Sequence, residues 1–353
     1  MTGSGTAQGD SGAARLRAWA TRLGAFGLLY WVLDKHGGGA LIRSLADQVG
    51  WRWSLLLVPW AAGIAVGLWA YVTCLPRRGK DMPLSVVARV HLAGGALNEL
   101  LPLGKSSSNI MKVGLMRHWY SSEALVAAGI WGSLGSGIGN MAGALGPVLA
   151  LGLGYGEVWT VAALAAVSVV MGIPAIAALV LIPTGLIERV TRLLTIGDFG
   201  WLRRRREKVI AWSARLDVHL AAAVGERSAD FRQLVWLRLL YQVFRVFTIW
   251  LAIELLAVPG GLMTALLYNA MSRGVTQILR FVPARLGVME LGASAMFIGL
   301  GLDGEAGVAL ALLLRVANVA SLVTAFSALS TIHDLPERFP PRTAEERALA
   351  DSP

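Results

Sequence analysis

Cysteine occurs once in the 353 residues, as Cys74, so neither a disulfide framework nor a cysteine metal cluster is available. Cys74 closes an apolar run, where a small packing role is expected. The five histidines, His36, His91, His118, His219 and His333, show no zinc-ligand pairing, and metal chemistry has no support. His91 lies in a broken apolar segment and is expected as a packed neutral imidazole. A nucleotide site is missing as well. Gly104-Lys105-Ser106 ends like a P-loop, but that motif needs glycine where Glu99 stands, and a soluble strand before it. No paired nucleophile accompanies the carboxylates, so no catalytic residue, cofactor or metal is expected. Charge is scarce too. Charged residues make up 15% of the chain against 55% hydrophobic, which leaves no room for a soluble enzyme domain.

What is present is apolar sequence in runs long enough to cross a bilayer, with mean hydropathy +0.59. Full spans are expected at Leu16–Leu33, Trp53–Leu75, Ala124–Leu153, Val158–Ile182, Leu234–Leu256 and Ala306–Ile332, with two broken segments between them. The fold class is therefore an all-α polytopic membrane protein of about six full spans plus two hairpins. Residues 1–15 are expected as a disordered tail, 16–332 as one transmembrane domain and 333–353 as a cytoplasmic tail. The start has no cleavage-type small-residue site and is read as retained.

The net charge of +10 does not imply a nucleic-acid partner, because the basic residues gather in loops beside the spans. Arg77, Arg78, Lys80 and Arg89 mark one such loop. The stretch 185–233, with Arg203–Arg206, marks the second, and it is expected to lie on anionic lipid headgroups at the cytoplasmic face. With both basic loops inside, both termini are cytoplasmic.

Sliding the sequence on itself by 181 residues superimposes Trp53–Leu75 on Leu234–Leu256, Pro102 on Pro283, and the span after Glu123 on the span after Gly304. The order span, broken hairpin, span thus occurs twice, as repeat one over 53–153 and repeat two over 234–332. An odd number of crossings separates the copies, so the first hairpin enters from the cytoplasm and the second from outside. This is an inverted-topology repeat of re-entrant hairpins, an arrangement that places a substrate site between the halves.

The hairpins carry the candidate site. In the second, Asn269, Arg273, Gln277 and Arg280 share a helical face leading to Pro283, and Arg285, Gly287 and Glu290 follow. Arginine at bilayer depth costs about 2.5–3.5 kcal/mol, so several in one hairpin are expected to face a cavity or one another. Guanidinium groups fit phosphate bidentately, which makes an anionic headgroup the natural ligand. The competing arrangement pairs Arg285 with Glu290 and lets Arg280 snorkel to an interface. In the first hairpin Asn98 and Glu99 precede Pro102, and Lys105, Asn109 and Lys112 share a face after it. Glu99 is placed to carry a proton, to balance Lys105, or, as an exposed cytoplasmic-side carboxylate, to do neither. Pro102, Pro283 and Gly287 are expected to keep the hairpins broken.

Further polar faces lie on the spans: Ser133, Ser136 and Asn140; Arg238, Gln242 and Arg245; Arg315, Asn318 and Ser321. Interhelical hydrogen bonding is the default for the serines and asparagines. Arg245 and Arg315 join the candidate binding residues. Gly135, Gly139 and Gly143 form a small-residue seam assigned to helix packing.

With these residues in place, the chain resembles the flippase-like membrane domain associated with lysylphosphatidylglycerol synthases, and within it the hopanoid-biosynthesis-associated branch. The resemblance covers about Trp53 to Ile332. It rests on FVPARLGVMELG, from Phe281 to Gly292, similar to the family's proline, Leu-Gly, glutamate pattern, and on ALNELLP, from Ala96 to Pro102. After the first proline the family commonly shows a Gly-Gly-acidic run and then arginine; Ser107, Ser108, Asn109 and Lys112 stand here instead. The resemblance implies translocation of a lipid with a modified headgroup across the bacterial inner membrane, with any aminoacyl transfer in a separate soluble module.

The expected function is therefore a multi-pass inner-membrane flippase or transporter, not an enzyme. It would move a glycolipid, polyprenyl-phosphate, aminoacyl-lipid or hopanoid-type substrate without ATP hydrolysis. The alternative is a non-catalytic accessory subunit that partners a lipid-modifying enzyme. An intramembrane enzyme using Glu99 or Glu290 as acid or base ranks last.

Overall fold

The computed structural model describes residues 43, 47, 49–76, 83–100, 104–117, 119–143, 145–194, 206–222, 225–278 and 288–330. All regular structure among them is helical. A 3₁₀ turn at Gly50–Leu56 leads into α1 (Leu57–Cys74), followed by α2 (Leu84–Leu100), α3 (Gly104–Met116), α4 (Ser122–Ala142), α5 (Leu145–Gly152) and α6 (Val158–Leu181). Then come α7 (Leu186–Leu194), α8 (Arg206–Ala221), α9 (Ser228–Leu255), α10 (Gly261–Ile278), α11 (Val288–Gly299) and α12 (Gly304–Ser330).

Five segments are long and apolar enough to cross a membrane: Gly50–Cys74, Ser122–Gly152, Val158–Leu181, Ser228–Leu255 and Gly304–Ala328. They match five of the six expected spans within a few residues. The sixth, Leu16–Leu33, lies outside the described residues, as do the two expected tails. The stretch expected as a basic loop holds two helices, α7 and α8. Asp217 of α8 joins them by accepting from the Ile187 and Glu188 amides at the start of α7, at 3.3 and 2.7 Å. A carboxylate there satisfies amides that have no partner within the helix and meets the positive end of its dipole.

α2 ends at Leu100 and α3 begins at Gly104; α10 ends at Ile278 and α11 begins at Val288. Pro102 and Pro283 themselves lie outside the described residues.

The apolar side chains form two separate cores. One gathers Tyr71 and Cys74 of α1, Val86 and Val90 of α2, Met116 of α3, Leu125 and Trp131 of α4, Ala175 of α6, Leu216 of α8 and Leu234 of α9. The other gathers Leu56, Ala150, Val161, Ile249 and Ile253 of α9, Leu267, Tyr268, Phe297 and Leu310. Helices α6 and α9 run through both, and the 3₁₀ turn before α1 joins the second while α1 itself joins the first. Leu234 and Ile249 lie 15 residues apart on α9, about 22 Å at helical rise, and between them Arg238, Gln242, Arg245 and Thr248 stand among apolar residues.

Contacts at the helix ends show which elements meet. Arg227, just before α9, donates to the Thr73 and Leu75 carbonyls at 3.1 and 2.8 Å and closes the end of α1. Its guanidinium lies 4.6 Å from the Trp131 ring centroid and ion-pairs with Asp230. Ser121 caps α4 by accepting from the Ala124 amide, and Glu123 in the first turn of α4 ion-pairs with Arg215 of α8 at 2.8 Å. Elsewhere, Tyr155 and Thr264 hydroxyls meet at 2.9 Å, and the Glu157 amide donates to Gly299 O. The ends of α1 and the starts of α4 and α9 thus share the α8 side, whereas the start of α10, the end of α11 and the start of α6 lie together elsewhere.

Candidate site: a cationic layer between two apolar cores

Helix α9 presents Arg238, Gln242 and Arg245 at helical spacing, between Leu234 of one core and Ile249 of the other. The layer that assembles around them has three parts.

The first is a clamp. Arg273 of α10 donates from Nη1 to Asn140 Oδ1 at 2.8 Å and from Nη2 to Gln242 Oε1 at 2.7 Å. Gln242 Nε2 donates to the same Asn140 oxygen at 3.1 Å, closing a triangle among α4, α9 and α10. Asn140 and Gln242 are buried. The Tyr241 ring lies 5.9 Å from the guanidinium carbon. Beside the clamp, Arg245 Nη2 donates to Ser272 Oγ at 2.9 Å, and Ser272 Oγ donates to Asn269 O. Three buried polar atoms here have no hydrogen-bond partner: Arg273 Nε, Arg245 Nε and Asn269 Oδ1.

The second part involves α3. Lys112 Nζ stands 4.4 Å over the Tyr71 ring, and Tyr71 packs on His91 at 5.3 Å between centroids. The third is an ion pair: Arg315 of α12 donates from Nη2 to Glu290 Oε2 at 2.9 Å. Among the described residues, no carboxylate ion-pairs with Lys112, Arg238, Arg245 or Arg273.

Of the residues expected from sequence, Arg273, Arg245, Lys112, Asn109, Glu290 and Arg315 have described side chains. Arg273 and Arg245 converge on the clamp. Asn109 packs against α4, where a Cβ at Gly129 would meet its Nδ2 at 3.3 Å. Glu290 pairs with Arg315. Asn98 and Glu99 fall in the last turn of α2, Lys105 in the first turn of α3 and Gln277 near the end of α10; their side chains lie outside the described residues. Arg280, Arg285 and Gly287 lie outside them altogether.

Ser133 and Ser136 do not bridge helices; each donates back to its own helix, to Gly129 O at 2.9 Å and Gly132 O at 2.7 Å. Ser321 does bridge, accepting from Trp60 Nε1 at 3.0 Å, and Asn318 is exposed. The glycine seam packs as expected at two positions: a Cβ at Gly135 would meet Leu234 Cγ at 2.9 Å, and one at Gly139 would meet Arg238 Cβ at 3.3 Å. Tyr71 and Tyr241 carried no sequence signal. A tyrosine inside an apolar run reads as core until a cation is placed over its ring.

These features define a multi-pass helical membrane protein with a cation-rich layer held between two apolar cores. The chain belongs to the lysylphosphatidylglycerol synthase TM region family, which matches residues 18–325. A membrane lipid-related role fits that membership. No curated protein and no solved structure matches the chain.

Proposed function

We propose that this protein is a bacterial inner-membrane flippase that moves a lipid with an anionic, phosphate-bearing headgroup between leaflets without ATP hydrolysis. The observation that carries this reading is the clamp: Arg273 and Arg245 lie between the two cores and are held only by neutral partners. Uncompensated guanidinium groups at membrane depth are expensive, and an anion restores the balance while they retain donors to offer it. Asn140, Gln242 and Ser272 orient the arginines without neutralising them.

The helix order supports two inverted halves. A long helix, a broken pair and a long helix recur as α1–α4 and α9–α12. The α2–α3 pair joins α4 at the end where α4 meets α8, whereas the α10–α11 pair joins its neighbours beside Tyr155 and Glu157. In this reading the pairs are re-entrant hairpins opening to opposite sides, with the cationic layer between them. Both termini are cytoplasmic, and the exposed Arg189 and Arg192 of α7 rest on anionic headgroups of that leaflet. The family's TM region is flippase-like and its catalytic activity sits in a separate domain, which supports a transporter rather than an enzyme. The hopanoid-associated branch supplies a candidate cargo, a hopanoid with an anionic headgroup.

The test is transport by full-length protein in liposomes, read by chemical quenching of outer-leaflet fluorescent lipid. Labelled phosphatidylglycerol, aminoacyl-phosphatidylglycerol, polyprenyl phosphate and a headgroup-bearing hopanoid form the panel. At least one lipid should equilibrate, and Arg273→Ala should slow it at least tenfold. If none of the panel moves, or Arg273→Ala moves lipid as fast as the parent, the reading is wrong.

A further inference from the structure

The clamp uses Arg273 and Arg245, and Arg315 is paired with Glu290, which leaves Lys112 and Arg238 of the layer unexplained. Lys112 stands over Tyr71, and Tyr71 packs against His91. Arg238 approaches from α9 on the side of Cys74, one turn of α1 beyond Tyr71: a Cβ at Gly132 would meet its Nη2 at 3.6 Å and Cys74 Sγ at 3.9 Å. His91 Nδ1 and Arg238 Nε are buried without a hydrogen-bond partner. The chain also makes room for the ammonium. A Cβ at Gly94 would meet Lys112 Cε at 2.5 Å and Ser108 Oγ at 2.7 Å, so the end of the lysine stem lies directly against α2 at this glycine.

We propose that Lys112, Arg238, His91 and the Tyr71 ring form a second anion site, specific for a phosphate group and distinct from the clamp at Arg273. Tyr71 supplies the floor under the ammonium, which holds Lys112 without neutralising it. Beside the site lie Ser108 Oγ, Met116 Sδ, which accepts from the Tyr71 hydroxyl at 3.3 Å, and the Cys74 thiol, which donates to Ala70 O at 3.2 Å. None of these is an anion balancing the lysine and the arginine.

The two sites are linked by α9. Arg238 belongs to one and Arg245 to the other, seven residues and about 10 Å apart, with Gln242 between them. A phosphate on one site thus has a second cation pair within two turns of helix. The spacing suits hand-over of a headgroup from one half of the protein to the other. This inference rests on the flippase reading for its purpose, though the site can be tested apart from transport.

The experiment is calorimetric titration of the full-length protein in neutral detergent with two probes, dioctanoyl phosphatidylglycerol and inorganic phosphate. The parent should bind two equivalents. Lys112→Gln and Arg273→Gln should each lose one and keep the other, and the double variant should bind none. Lys112→Arg, which keeps the charge, should restore two, and the melting temperature of each variant establishes that it is folded.

Binding of phosphatidylglycerol with no response to inorganic phosphate assigns the site to a lipid headgroup. Binding of both, or of phosphate alone, assigns it to a free anion. One equivalent in the parent, abolished by Arg273→Gln and untouched by Lys112→Gln, overturns the second site and leaves the flippase reading standing. Two equivalents without lipid movement in liposomes does the reverse. No binding of either probe overturns the second site.

Discussion

Arg273 and Asn140, 133 positions apart in sequence, meet at 2.8 Å, and the asparagine oxygen that receives the guanidinium also accepts from Gln242. Three helices are therefore registered by one planar fork. Arg273 reaches two different acceptors with two different nitrogens, which an ammonium on a flexible stem does not reproduce. Arg273→Lys is expected to keep the charge and lose the register, with transport falling at least tenfold while the melting temperature drops by only a few degrees. Liposome transport and thermal unfolding of the same preparation check both halves.

The neutrality of Asn140 is the feature that keeps the clamp open to an anion. Asn140→Asp puts a carboxylate at the same 2.8 Å, supplying Arg273 with an internal counter-ion in a low-dielectric setting. The variant should fold at least as well as the parent and bind short-chain phosphatidylglycerol at least tenfold more weakly. Unchanged affinity would show that Arg273 does not meet the headgroup.

Much of this architecture was legible in the sequence, for physical reasons that differ from element to element. Spans α1, α4, α6, α9 and α12 were readable because a bilayer demands long apolar runs, whereas the expected breaks at Pro102 and Pro283 fall outside the described residues. The stripe of Arg238, Gln242 and Arg245 followed from helical spacing alone. The partners did not. That Gln242 and Asn140 bond to Arg273, or that Arg315 meets Glu290, depends on how helices distant in sequence are rotated against each other. Helices α7 and α8 were hidden by their charge. A basic stretch reads as loop until Asp217 and Glu123 are seen tying it to its neighbours.

Glu290 and Arg315 are mutually compensated, which sets them apart from the clamp. Both side chains are largely buried, at 16% and 21% exposure. Glu290→Gln leaves Arg315 without its carboxylate and should destabilise the protein by about 3 kcal/mol, the lower end for breaking a buried pair. Adding Arg315→Gln should recover part of that loss. Denaturant unfolding of the two singles and the double measures the coupling, and simple additivity would contradict the pairing.

Arg227 closes α1 from outside that helix. It donates to two carbonyls at the end of α1, ion-pairs with Asp230 and lies over Trp131, so one side chain fastens α1 to the start of α9 and to α4. Hydrogen bonds from a charged donor contribute about 1.5–3 kcal/mol each. Arg227→Ala should therefore lower stability by about 2–4 kcal/mol, and Arg227→Lys should recover less than half because one ammonium does not serve the same set. Anion binding at the clamp should be unchanged in the folded fraction, which separates this role from that of Arg273.

The seam between α4 and α9 should answer to single methyl groups. A Cβ at Gly135 would lie 2.9 Å from Leu234 Cγ and 3.1 Å from Cδ2, and Leu234 is fully buried, with little freedom to withdraw. Gly135→Ala is expected to cost about 1–3 kcal/mol, the range for overpacking a tight contact, despite the better helix propensity of alanine. Gly114 of α3 is the matched control: nothing lies within 4 Å of its Cβ position. There the same change should stabilise by up to about 1 kcal/mol through propensity alone. Opposite signs at the two glycines, read as shifts in melting temperature, would establish that α4 and α9 touch along this seam. A like response at both would mean that the two helices stand further apart.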